Sequence, residues 1–321
     1  MNKQIGIPGS AVTVLAAIGF IASWSSGFVI AAVAVVDVSA TTLLLWRFAP
    51  LALVLLVITA ASGAARSVTG AELRQQAVIG LFAQLGYIVF VYAAIGAGIT
   101  TGTTALIDAV QPLVVATLVG PLLGLRVRGA QWAGLGVGAL GVVLVVRSQI
   151  GGAAAHPLAY VLPVLAMVCL IAGTFVERRS RVKMPVLVTL TVHVTVTSLA
   201  LVVIAAVTGT LVPPATLTFW LATVISAIVP TLAAYGLYWW LLRRVGITVL
   251  NALLFLVAPA TALAGAALLG EPLTLLTLAG FALCGTGVAV VLVAEARATK
   301  ADAGPATLPL KGEPIIRSAP V

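Results

Sequence analysis

The sequence predicts an all-α integral membrane protein, with ten transmembrane helices forming two inverted five-helix repeats. Three observations lead there. Apolar runs of spanning length follow one another along the chain. Basic residues are confined to alternate loops. The second half of the chain repeats landmarks of the first.

Of the 321 residues, 62% are hydrophobic and 8% charged, against roughly 25% charged in a soluble domain. Mean hydropathy is +1.22, too apolar to cover a soluble surface. A spanning helix needs about 20 apolar residues. Ten such runs are readable at 12–33, 40–61, 76–97, 100–122, 130–147, 157–176, 185–207, 219–241, 247–268 and 274–294. None shows the strict alternation of barrel strands. The first run follows Lys3 and resembles a signal sequence. It exceeds a signal core of about 7–15 residues, so it is read as the first helix. The residues after Glu295 are polar and contain proline, and are expected to form a disordered cytoplasmic tail over 295–321.

The net charge of +9 serves orientation rather than nucleic-acid binding. With residues 1–11 cytoplasmic and ten crossings, fifteen of the 17 Lys and Arg residues fall on the inner side. Arg147 alone falls outside, and Arg47 lies within the second run. The positive-inside rule then places both termini in the cytoplasm. Cys169 and Cys284 lie within apolar runs as small packing residues, giving no disulfide framework and no metal site.

The repeat is carried by "GITTGTTALIDAVQPLVVATLVGPLLG" from Gly98 and "GITVLNALLFLVAPATALAGAALLG" from Gly246. Gly98/Gly246, Pro112/Pro259, Gly134/Gly280 and Tyr87/Tyr235 recur in order with spacings of 146–148. The chain thus divides into a first repeat over 12–147, a linker over 148–156 and a second repeat over 157–294. Five helices per repeat is an odd number, so the second copy must be inverted in the membrane. Inverted repeats are a common build of secondary transporters, with the site near the midplane between the halves.

Within "TTALIDAVQPLV" an acid interrupts an apolar run. A charge at the bilayer centre costs about 2.5–3.5 kcal/mol on insertion scales, so Asp108 is expected to face protein or water. Thr101, Thr104, Asp108 and Gln111 form one helical stripe. Pro112 has no N–H and frees the carbonyl four residues back, that of Asp108. The matching stripe in the ninth run, Thr248, Asn251, Phe255 and Ala258 before Pro259, is less polar and has no second acid.

Arg47 and Asp108 both fall ~10–12 Å below the outer surface by helical rise. They can pair with each other, or bind the two ends of a zwitterion with Arg47 on the carboxylate. Asp108 and His193 are also candidates for a proton pathway. Trp24, Tyr87 and Tyr235 are candidate cavity aromatics, flanked by Ser23, Ser25 and Ser26. Gly134 and Gly138 are read as packing residues. The two histidines, His156 and His193, are far apart, no helix carries paired acids, and no Walker A motif occurs. No catalytic residue, cofactor or metal is therefore expected. A structural or receptor protein would need neither the repeat nor the polar stripe.

These residues resemble the EamA-type family of the drug/metabolite transporter superfamily. The resemblance rests on "WSSGFV", "WRFAPLALVLL", "ALIDAVQPLVVATLVGPLLG" and "LVAPATALAGAALLGEPLTLLTLAGFALCGTGVAVVLV", and covers nearly all of 12–294. It implies a 5+5 inverted fold in the prokaryotic inner membrane and export of amino acids, related metabolites or toxic compounds, often against protons. It assigns Trp24, Arg47, Pro112, Pro259 and the Gly270-Glu271 pair, whose first-half counterpart is Gly124-Leu125. It does not assign Asp108, whose role rests on the local argument. The expected activity is a proton-coupled exporter of amino acids or related small metabolites by alternating access. The alternative is an exporter of cationic drugs, with Asp108 as counter-charge. The expected partners are the small-molecule substrate, the proton and the lipid bilayer, without nucleic acid. The fold also admits a homodimer.

Overall fold

The computed structural model describes residues 11–34, 38–97, 99, 104, 108, 110–124, 127–147, 156–180, 184–269 and 274–302. These residues form helices and connecting turns. In chain order they are α1 (Ala11–Ala34), α2 (Ala40–Ser62), α3 (Gly70–Gly80), α4 (Tyr87–Gly96), α5 (Gln111–Leu123), α6 (Gly129–Arg147), α7 (Val161–Arg179), α8 (Val186–Thr208), α9 (Leu217–Ala227), α10 (Ala234–Val245), α11 (Ile247–Leu254), α12 (Val257–Leu269) and α13 (Leu275–Asp302). π-helical turns at Leu81–Gly86 and Ile228–Ala233 join α3 to α4 and α9 to α10.

Among the described residues eight helical segments are long and apolar enough to cross a membrane, and Gln111–Leu123 and Gly129–Leu144 are shorter apolar helices. Boundaries move outward from the expected ones where polar residues cap or extend a helix. The third begins at Gly70 rather than 76, because Thr69 and Glu72 close a capping box: Thr69 N–H donates to Glu72 Oε2 at 2.7 Å and Glu72 N–H to Thr69 Oγ1 at 3.3 Å. The eighth spans Leu217–Val245, capped by Thr216. The last continues to Asp302, so residues 295–302 of the expected tail are helical. Alanine-rich sequence with alternating charge favours continued helix there.

The two halves match in detail. Gly63 ends α2 and Gly209 ends α8, at φ 65° and 70°, a left-handed cap that only glycine adopts without strain. The π turns begin at Leu81 and Ile228. Pro112 sits in the first turn of α5, and Pro259 in the first turn of α12 after the break at Phe255. In the first turn the missing proline N–H costs nothing.

Packing between the halves obeys one symmetry. α2 lies on α8 and α6 on α13, each pair being a helix and its counterpart, and α5 lies on α11, the segment before its counterpart α12. α1 lies on α10 and, reciprocally, α7 on α4. The self-paired helices run antiparallel. Thr42 Oγ1 donates to Thr210 O at 2.8 Å at one end of α2, and the Thr59 and Thr191 hydroxyls meet at 2.7 Å at the other. A helix that packs antiparallel on its own counterpart fixes the relating axis across the helices. The second half is therefore inverted relative to the first.

Glycines permit the closest approaches. A Cβ on Gly173 would stand 2.5 Å from Ala83 Cβ, and one on Gly27 would stand 3.2 Å from Pro230 Cβ. The first helix of each half is thus seated on the π turn of the other. Gly134, Gly138 and Gly141 let α6 contact Gly287, Gly280 and Cys284 of α13, the small-residue packing expected in lipid. On the outer faces Leu53 and Val57 of α2, and Leu199 and Val203 of α8, are exposed. These symmetry-matched apolar stripes suit a hydrocarbon solvent.

Candidate functional site

Trp24 stands at the meeting of the halves. Its ring lies 5.8 Å from Tyr87, 5.2 Å from Tyr235 and 5.3 Å from Tyr238, centroid to centroid. The two symmetry-matched tyrosines are delivered there by the π turns that precede them. An extra residue in the turn re-aims the side chains that follow, which is why such turns gather at functional sites. Trp24, Tyr87 and Tyr235, with Gly27, Phe28, Arg47, Ile88, Val91, Tyr92 and Pro230, line a cavity of ≈ 30 Å³, room for about two water molecules.

Arg47 projects into this cavity from α2 and is 1% exposed. Its Nε donates to Thr231 Oγ1 at 2.6 Å and its Nη1 to Tyr92 OH at 3.2 Å. Its guanidinium carbon lies 5.2 Å from the Phe48 ring centroid. Among the described residues no carboxylate comes within ion-pair distance of it. The direct Arg47–Asp108 pair allowed by the sequence is therefore not formed. Tyr87 holds Asp108 instead, donating from its hydroxyl to Oδ2 at 3.0 Å. Asp108 Oδ1 is buried without a hydrogen-bond partner among the described residues, as is the Tyr235 hydroxyl. Separating the charges leaves a cation on the cavity wall and an acid one ring behind it.

The other expected residues divide into two groups. Gln111 Nε2 donates to Asn251 Oδ1 at 3.4 Å, and Asn251 Nδ2 donates back to Ile247 O at 2.8 Å, tying α5 to α11. Thr104 is fully buried. Thr101, Gly98, Gly270 and Glu271 lie outside the described residues. Ser25 of α1 donates to Val257 O at 3.2 Å, while Ser23 and Ser26 bond within their own helix, so these serines act in packing.

His193 does not join the aromatic cavity. It is fully buried beside α3, with Nε2 3.0 Å from Gln76 Oε1 and its ring edge-on to Trp239 at 5.3 Å. Gln76 Nε2 donates to Glu177 Oε2 at 2.7 Å, and Glu177 Oε1 receives Arg243 Nη2 at 2.6 Å. Arg243 also donates to Thr189 Oγ1 at 3.1 Å and to Met184 O. Glu177 and Arg243 line a surface pocket of ≈ 530 Å³.

Tyr92, Thr231 and Gln76 escaped the sequence reading. Tyr92 and Thr231 approach Arg47 only through folding, from 45 and 184 residues away. A signal existed for Thr231 and Gln84, which occupy equivalent positions in the two π turns.

Buried ionisable groups, paired halves related by inversion and an apolar exterior define a membrane transporter. A family model described as the EamA-like transporter family matches residues 11–147 and 157–293, and the chain belongs to that family. A crystal structure of a protein 22% identical superposes with a TM-score of 0.72, covering 88% of this chain and 98% of the other, and has the same fold. No curated protein matches.

Proposed function

We propose that the protein is a proton-coupled secondary transporter that exports amino acids or related small zwitterions by alternating access. The observation that carries this reading is Arg47. Among the described residues this buried cation is bonded only to neutral hydroxyls and an aromatic face. Burying a charge costs several kcal/mol, which a carboxylate in bidentate contact offsets. Asp108, behind Tyr87, supplies the opposite charge for an ammonium group or a proton. The cavity of ≈ 30 Å³ is too small for an amino acid, so loading requires the halves to part along their interface.

This reading has ten crossings, with α5 and α6 completing the set begun by the eight longer spans. Both termini lie in the cytoplasm of a prokaryotic cell, and the linker over 148–156 crosses between repeats on the outer side. A homodimer is compatible with it. The aromatic wall of Trp24, Tyr87 and Tyr235 favours a second reading, export of flat cations.

The test is uptake into inside-out vesicles under an imposed proton gradient. Amino acids and cationic dyes are offered to wild type and to Asp108→Asn. Amino-acid uptake lost in the variant supports the zwitterion exporter. Dye uptake without amino-acid uptake supports the alternative. Normal uptake by Asp108→Asn at every pH removes Asp108 from the pathway.

A further inference from the structure

We propose that His193, Gln84, Thr197 and Trp239 enclose a buried water-binding site through which the His193 ring exchanges a proton with the Tyr87–Asp108 pair. This rests on the proton-coupled reading and adds the second group that coupling needs.

The site follows from helix register. Gln76, Gly80 and Gln84 lie four residues apart on α3 and the adjoining π turn, so they share one face. Gln76 bonds His193, and a Cβ on Gly80 would stand 2.9 Å from His193 Cα. Arg243 bridges Glu177 to Thr189, placing Thr189 at the Gln76 end of α8. The two elements therefore run in parallel, and Gln84 comes level with Thr197, one turn beyond His193. The π turn and α8 are in contact.

The polar atoms gathered there are unsatisfied. Both amide atoms of Gln84, Thr197 Oγ1, His193 Nδ1 and Trp239 Nε1 are buried without a hydrogen-bond partner among the described residues. All four residues are 0% exposed. Such groups are nearly always bonded to protein or to ordered water. The set mixes donors (the Gln84 amide and the indole N–H) with acceptors (the Gln84 carbonyl and the imidazole nitrogen). That mixture suits water and not a metal ion, which would need acceptors alone.

Gln76 acts as a positioning residue. Its Nε2 is committed to the Glu177 carboxylate, so its Oε1 faces His193 and can only accept. His193 Nε2 must then carry a proton, and the Nδ1 lone pair is left facing the water site. Of the charged and titratable groups around the ring, Arg243 and Tyr238 come from α10, and Glu177 reaches it through Gln76. Arg47 of α2 is turned to Thr231 and Tyr92, and Glu72 of α3 is held by Thr69. A water proton moves onto Nδ1 as the Tyr87 hydroxyl gives one to the water and takes one from the Asp108 acid, so one proton is transferred and the water and the hydroxyl are regenerated. Three residues past Gln84 stands Tyr87, the Asp108 partner.

The repeat supports this assignment. The repeat relates Arg47 to His193, Tyr92 to Trp239 and Thr231 to Gln84, at offsets of 146–147, so each trio draws on both halves. The first trio is a bonded fixed cation. The second replaces it with a ring able to gain and lose its charge.

The experiment uses the full chain in nanodiscs with isotope-labelled histidine. Magnetic resonance reads water-to-ring contact at His193, and His156→Gln assigns the second of the two histidines. The expected result is an Nε2–H tautomer with water contact at Nδ1, reduced at least tenfold in Gln84→Leu/Thr197→Val or in Thr197→Val alone. A dry ring in the wild type, or contact unchanged in the variants, overturns the site. In proteoliposomes offered a panel of neutral amino acids, counterflow moves no net proton, whereas accumulation driven by a pH gradient does. The ratio of accumulation to counterflow is expected to fall tenfold in the variants, and an unchanged ratio overturns the proton exchange. Absent counterflow in the wild type refutes the transport reading by itself and leaves the water contact to decide this inference.

Discussion

Replacing Arg47 separates function from stability. The Arg47 side chain is buried, and its hydrogen bonds go to the neutral hydroxyls of Thr231 and Tyr92. Removing a charge with no carboxylate partner among the described residues relieves its desolvation, so Arg47→Gln is expected to be as stable as wild type or more stable. Binding moves the other way. Two charge-assisted hydrogen bonds to a substrate carboxylate, each about 1.5–3 kcal/mol, give a loss of roughly 3–6 kcal/mol. At 1.4 kcal/mol per tenfold, this weakens affinity by about a hundredfold or more. Arg47→Lys keeps the charge without the fork and should fall between the two. Counterflow of labelled amino acid in proteoliposomes measures the affinity, and thermal unfolding in detergent measures the stability. An Arg47→Gln protein that unfolds earlier yet transports in proportion to its folded fraction would show that Arg47 is a structural group.

Other expectations follow from the packing and the polar contacts. Gly173→Val drives a side chain into Ala83 of the π turn and should cost at least ~1–3 kcal/mol. Gly136→Val, with open space around it, should leave the melting temperature unchanged. Glu177→Gln breaks the link between Arg243 and Gln76. Its cost should be about 2–3 kcal/mol, below the ~3–5 of a fully buried pair, because Arg243 is 29% exposed. Adding Arg243→Met should recover part of that loss in a denaturant titration. Tyr87→Phe removes the hydrogen bond to Asp108 and should shift the pH profile of transport while unfolding within about 1–2 kcal/mol of wild type. Tags on either end should be reached only from the cytoplasmic side, and labelling from outside would overturn the orientation.

Much of this architecture is legible in the sequence because lipid leaves a chain few choices. Every backbone group must be bonded internally, so long apolar runs are helices. Landmarks that need particular residues, such as the glycine caps at Gly63 and Gly209 and the breaks at Pro112 and Pro259, recur openly. The candidate site is legible only in part. An arginine and an acid in apolar runs mark themselves, and Trp24, Tyr87 and Tyr235 can be named as cavity residues. Their partners cannot be named. Tyr92, Thr231 and Gln76 are ordinary residues in sequence, and their importance comes from what stands opposite.

The sequence by itself therefore determined the helices, the repeat and the residues too costly to place against lipid. Tertiary structure alone decided which of them meet. Helical rise puts Arg47 and Asp108 at one depth, yet depth does not specify azimuth. The π turns rotate Tyr87 into the space between them, and the pair does not form. His193 likewise reads as one more candidate for the pathway, and only folding shows that it stands outside the aromatic cavity, beside Gln76 and Glu177. Spacing along a helix is a local property fixed by backbone geometry. Contact between helices depends on how two surfaces pack, and that is settled only when both halves are in place.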